Sequence, residues 1–340
     1  MSDIIQDFAN YRIRSIELAE AKYYESLIKV LDNIEKQITS LAGKTLPINN
    51  AGKLFDLKIA TAMQPKIRQI LEKEYLAWSD TVVRQGFNKQ AKRIEKAFKK
   101  LKINKKFQQL TKADLILITN LKKQSFTQFK DVSNTFTRKL TEKVYQSTLT
   151  GAEFVELEKD LRQTVNGIYA RADDKELNKI VKIIKRDEVK IRKLDKRTIA
   201  GRKLRKKLDK NIQILQSKFA ADRTGENMKR YAGTILNDSI REFDAQLNLA
   251  KSSDAGLKWL KYQGGIIPTS RDHCKRMISG VYNKRINGLF TIDEVKKLWR
   301  RNWKGKKSGN PLIVRGGYNC RHQWSYVSPS WYTSSGKLKM

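Results

Sequence analysis

The sequence predicts a mainly α chain: an elongated helical N-terminal region over residues 1–252, then a small α+β module with a short tail over 253–340. Three observations predict it. Apolar residues recur at helical spacing through the first two-thirds. Gly, Trp and turn signals crowd the last quarter. All the Cys and His of the chain, two of each, fall there in two short clusters, Asp272-His273-Cys274 and Cys320-Arg321-His322.

The helical elements follow in order. Ile16, Tyr23, Leu27, Leu31, Ile34, Ile38 and Leu41 recur every three, four or seven residues, the apolar stripe of one long helix. Gly43 and a turn around Pro47-Ile48-Asn49-Asn50 are expected to end it. A second helical tract spans about 51–101, with Pro65 as a break or first-turn residue and Trp78, Val82 and Phe87 near one face. Phe129, Val132, Phe136, Leu140 and Val144 keep helical spacing within 115–168. Thr150-Gly151-Ala152-Glu153 reads as a stop followed by a new helix with an acidic first turn. A further helix fits 226–251, with Met228, Tyr231, Ile235, Ile240, Phe243 and Leu247 mostly on one side.

The C-terminal module begins after the loop Ser252-Ser253-Asp254-Ala255-Gly256. Leu257 to Tyr262 alternates as a strand, and Gly264-Gly265 and Pro268 are turn signals. A Gly280-Val281-Tyr282 turn, a helix from Thr291 to Trp303 and a loop from Lys304 to Asn310 come next. Pro311-Leu312-Ile313-Val314 reads as another strand leading into Gly316-Gly317-Tyr318-Asn319-Cys320. Trp299, Trp303, Trp324 and Trp331 are expected mostly to build the core of so small a module.

Charge limits the partners. Lys and Arg number 71 against 35 Asp and Glu, a net +36, so the chain attracts polyanions, nucleic acid first. Mean hydropathy is −0.62 and no run approaches the ~20 apolar residues of a membrane span. Met1-Ser2-Asp3-Ile4 has neither the basic nor the apolar region of a secretory signal. Two cysteines make no disulfide framework, so synthesis in a reducing cytoplasm is expected. The most charged tract, 171–210, holds 17 Lys or Arg against 7 Asp or Glu, with Ile180, Ile183, Ile184, Val189, Ile191 and Leu194 threaded through it. That pattern predicts a basic helical surface. Lys190, Arg192, Lys193, Arg202, Lys203, Arg205, Lys206 and Lys207 are its candidate phosphate contacts, joined by Lys304, Lys306 and Lys307 of the module loop. Such contacts would be salt-dependent and would not read bases.

Three readings of the Cys/His clusters stand side by side. His273, Cys274, Cys320 and His322 are zinc-type ligands, although adjacent His273 and Cys274 would struggle to face one ion. Cys274 and Cys320 could pair as a disulfide in oxidising surroundings. The plainest reading is a buried pair of thiols with His322 bonded to backbone. Catalysis has weaker support: His273 and His322 beside Asp272 suggest a metal-dependent nuclease. No P-loop, Gly-x-Ser-x-Gly or His-Glu-x-x-His accompanies them.

Trp259, Arg271-Asp272-His273-Cys274, Gly280-Val281-Tyr282 and Asn319-Cys320-Arg321-His322-Gln323-Trp324, in that order near the C-terminus, resemble the C-terminal domain of phage minor head proteins, the Mu F-like head morphogenesis family. The resemblance covers about residues 226–329 and implies a helical part before the domain. It departs from the family at Met277, where many relatives carry a second cysteine, and in the tighter Asp272-to-Cys274 spacing. It implies a non-enzymatic minor structural protein of a tailed-phage head, made in the host cytoplasm and located in the virion head. Its partners would be portal and capsid proteins and packaged DNA. The alternative expectation is a metal-dependent nuclease built on the His-Cys clusters.

Overall fold

The computed structural model describes residues 2–99, 101, 103–167, 179–180, 182–184, 186–187, 190, 199–221, 226–266, 270–282, 288–318, 320–331 and 333. Helices dominate. In chain order they are α1 (Ser2–Thr45), α2 (Leu57–Ala62), α3 (Gln64–Leu71), α4 (Ala77–Thr81), α5 (Phe87–Phe98), α6 (Lys112–Leu149), α7 (Phe154–Asn166), α8 (Ile199–Ala221) and α9 (Met228–Asp254). Then come β1 (Trp259–Gln263), α10 (Asp272–Ile278), β2 (Leu289–Thr291), α11 (Ile292–Trp299), α12 (Pro311–Val314) and β3 (Gln323–Val327). The chain is therefore mainly α with a small α+β part at its C-terminal end. Among the described residues no helix is long and apolar enough to cross a membrane.

The chain divides into two compact units. One takes the described residues of Ala21–Val82 and Ser125–Leu236; the other takes those of Met1–Glu20, Val83–Gln124 and Asn237–Met340. The C-terminal strands thus share a unit with sequence from the N-terminal region.

In the first of these units the α1 stripe is buried as its spacing dictates, from Tyr23 through Leu27, Leu31 and Ile34 to Ile38. Gly43 does not stop α1, which runs on to Thr45. It is a packing glycine: a Cβ there would lie 3.0 Å from Cζ of Phe154. Pro65 occupies the first turn of α3, where its missing N–H costs no hydrogen bond. Widened π-type turns at Glu72–Leu76 and Val82–Gly86 join α3, α4 and α5. The extra residue in each turn rotates the next helix by about 100°, a shift that apolar spacing alone does not reveal. Tyr75 and Trp78 stack at 5.7 Å, and Phe129 of α6 meets both edge-on. Glu35 is buried because Arg162 Nε (2.9 Å) and Asn166 Nδ2 both donate to it. Gly151, at φ +63°, turns the chain between α6 and α7 as its sequence context predicts.

In the other unit Phe87 packs on Phe243 at 4.4 Å and Phe8 meets Phe98 edge-on at 5.5 Å. A three-stranded antiparallel sheet of order β2-β1-β3 carries the C-terminal part. Trp259 pairs with both Thr291 and Val327, and Tyr262 with Trp324. Leu260 and Tyr262 share the buried face of β1, as the period of two requires. β3 is an edge strand, yet every residue in it is buried. The Trp324 carbonyl accepts from Arg12 Nη1 (2.9 Å) and Asn248 Nδ2 (3.3 Å), so part of the edge is closed by side chains.

Three expectations for this region are corrected. The loop expected to begin at Ser252 begins after Asp254, because α9 runs on to that residue. Pro311 to Val314 is one helical turn rather than a strand, because Asn310 Oδ1 accepts from Leu312 N (3.0 Å) and Pro311 suits a helix start. The helix expected to reach Trp303 ends at Trp299, where Lys306 Nζ takes the carbonyls of Trp299 (2.6 Å) and Arg301 (2.9 Å). Its start is as expected, with Thr291 and Glu294 forming a reciprocal cap. Tyr231 of α9 is 39% exposed, its ring against Phe136.

Candidate functional site

Helix α10 presents His273 and Cys274 in opposite senses, since adjacent helical residues diverge by about 100°. Cys274 meets Tyr262 of β1 and Cys320, while His273 turns to Trp303 and Tyr282. The His273 ring lies flat on Trp303, 3.7 Å between centroids and 6° between planes, with Trp299 edge-on to Trp303 at 4.9 Å. Burial, together with Arg301, Lys306 and Arg271 nearby, lowers its pKa to about 4. His273 is a neutral stacking residue here, and its Nδ1 has no hydrogen-bond partner among the described residues. Asp272 is exposed and lies 3.6 Å from Lys275, outside the group of ligand atoms that converge below.

The other three cluster residues converge. Cys274, Cys320 and His322 are buried, with their ligand atoms within 4.8 Å of one another. Cys274 Sγ and Cys320 Sγ are 4.0 Å apart, both free thiols, and Cys320 Sγ is 3.6 Å from His322 Nδ1. Sequence reasoning missed a fourth member. Tyr262 Oη lies 3.5 Å from Cys274 Sγ and 3.2 Å from Cys320 Sγ, and its ring stacks on His322 at 5.2 Å. The available signal was its place on the inward face of β1.

The charge is shared unequally. Burial opposes ionisation of Cys320, but hydrogen bonds from Cys274 and His322 outweigh it and hold this thiol well below its ordinary pKa. Cys274, donating to that sulfur and buried itself, is pushed up. Burial and the neighbouring sulfurs keep the Tyr262 phenol protonated. The arrangement supplies two soft sulfurs, an imidazole and a phenol around one point.

A shell holds these residues in place. Arg241 Nη1 donates to the Arg321 carbonyl (2.5 Å), the peptide between Cys320 and His322. Trp303 Nε1 donates to Gly316 O (2.9 Å), and Arg271 Nη2 to Tyr318 O (2.6 Å).

The candidate phosphate contacts fall in both units: the α8 group in one and Lys304, Lys306 and Lys307 in the other. Lys203, Lys206 and Lys207 are exposed on α8 beside half-buried Arg205, with Leu208 turned inward. Lys190 is exposed; Arg192 and Lys193 lie outside the described residues, as does the Arg202 side chain. Lys304 is exposed. Lys306 is committed to its two carbonyls and to the faces of Trp299 (5.3 Å) and Trp303 (5.1 Å). Lys307 is held by Glu242 (2.5 Å), with Asp238 at 3.8 Å.

No protein-family model, no curated protein and no solved structure matches the chain.

Proposed function

We propose that the chain is a minor structural protein of a tailed-phage head, acting in head morphogenesis. It would join the head through the portal and contact packaged DNA without reading its sequence. The observation that carries the proposal is that three residues of the resemblance, far apart in the chain, converge. Cys274, Cys320 and His322 close around Tyr262 beneath a sheet whose central strand starts at Trp259. Exposed lysines of α8 and the net +36 support the DNA contact. Assembly in the host cytoplasm and a final place in the virion head belong to the same proposal, as do the portal and capsid partners.

The test is a gel of supercoiled plasmid incubated with the full chain, with magnesium or with chelator, at low and high salt. A shift that weakens with salt, on intact plasmid, is the expected result. Magnesium-dependent nicking that disappears in His322→Gln would replace the proposal with a nuclease.

A further inference from the structure

We infer that Cys274 Sγ, Cys320 Sγ, His322 Nδ1 and Tyr262 Oη form a four-donor site for one zinc ion. The inference stands apart from the head-protein reading and needs no DNA or capsid partner.

The spacing of the donors carries it. A tetrahedral zinc site with Zn–S near 2.3 Å and Zn–N near 2.0 Å puts ligand atoms about 3.8 Å apart for two sulfurs and about 3.5 Å for sulfur and nitrogen. The separations found are 4.0 Å between the sulfurs and 3.6 Å from Cys320 Sγ to His322 Nδ1. The ligand atoms of Cys274 and His322 lie within 4.8 Å of each other, and Tyr262 Oη lies 3.5 and 3.2 Å from the two sulfurs, within reach of the same ion. Two buried thiols satisfied by each other would require neither the imidazole nor the phenol. Here all four groups turn inward from three separate elements: β1, α10 and the turn before β3.

Gly316 passes close to the same donors. A Cβ on this residue would fall 2.4 Å from Cys274 Sγ, 2.9 Å from Cys320 Sγ and 3.1 Å from Tyr262 Oη. Only a residue without a side chain leaves the donors free to face one another here. Donor chemistry selects the metal: thiolate and imidazole favour zinc over the oxygen-seeking magnesium and calcium. On binding, any proton still held by Cys274 or Cys320 passes to solvent and each sulfur donates a lone pair to the ion, while Tyr262 donates through its neutral phenol oxygen; affinity therefore falls as the medium is acidified. With four protein donors in a buried place, the site is structural and clips α10 and the β3 turn onto β1.

The experiment uses the full chain, expressed with zinc in the medium and dialysed, with metal measured by elemental mass spectrometry. One zinc per chain is expected, lost in Cys274→Ser and Cys320→Ser. Tyr262→Phe, which removes one direct donor, should weaken zinc by at least the roughly 10- to 100-fold that loss of a merely supporting group costs. Because the cysteine variants could fail to fold, the wild-type chain stripped of metal is also titrated with cobalt. Intense visible bands of tetrahedral cobalt with a sulfur charge-transfer band support the site. A wild-type chain that carries no zinc and gives no such spectrum overturns it. So does a Cys274–Cys320 disulfide, seen as an intact mass lighter by two hydrogens.

Discussion

Arg241 of α9 grips Glu20 of α1 with two parallel hydrogen bonds, Nε to Oε1 at 2.5 Å and Nη2 to Oε2 at 2.6 Å, while both residues are buried. The third arm of the guanidinium holds the Arg321 carbonyl. Burial opposes the charge on this arginine, but Glu20 outweighs it and the pKa is raised. A second buried pair, Arg12 with Asp244, joins the same helices, and Gln90 Nε2 donates to the other Asp244 oxygen (3.0 Å).

Removing one partner of such a pair leaves the other charge stranded. Arg241→Met is expected to lower stability by about 3 to 5 kcal/mol, read from urea unfolding. Arg241→Lys should recover little, because the three donors of an ammonium radiate from one nitrogen and cannot span both Glu20 oxygens and the Arg321 carbonyl as the planar fork does. Full recovery by lysine would mean that charge alone, and not the fork, is what the site requires.

Gly316→Ala should destabilise the chain by about 1 to 3 kcal/mol through overpacking against Cys274 Sγ. Thermal unfolding measures it. An unchanged midpoint would show that the sulfurs yield more easily than their close approach implies.

The two lysine groups are expected to part company. Replacing Lys203, Lys206 and Lys207 by Gln should flatten the slope of log binding constant against log salt by about 0.9 for each lysine–phosphate pair removed. Lys306→Met should leave that slope alone and reduce thermal stability, since its ammonium caps α11 and lies over two tryptophans. A flattened slope in Lys306→Met would return this residue to the DNA surface.

Thr291→Ala removes the side-chain half of the α11 cap, and about 1 kcal/mol should go with it. Urea midpoints of the two proteins, compared at equal slope, check the value; a loss below a few tenths would show the cap to be redundant.

Periodicity made the helices legible, because burial enforces it residue by residue from Tyr23 to Ile38 and from Phe129 to Val144. It could not reveal the two π-type turns or the packing role of Gly43, which depend on neighbours distant in sequence. Pro311 to Val314 looked like a strand because four apolar residues fit either structure, and the deciding group was the Asn310 cap. The divergence of His273 from Cys274 followed from helical geometry, while the membership of Tyr262 required knowing what β1 faces. Glu20, Arg241, Arg12 and Asp244 were unreadable as core: charged residues look like surface until a partner more than two hundred positions away is found.

Arg12 and the carbonyl it serves at Trp324 are separated by 312 positions. During synthesis a ribosome must therefore have added nearly all of this chain before that arginine can find its acceptor. Until then the first helix emerges with a charge whose native surroundings do not yet exist. Closure of the sheet edge is consequently a late event in the life of each new molecule, and contacts of such long range slow folding. Newly made chains should thus spend a measurable interval with the C-terminal strand open to proteases before it becomes resistant.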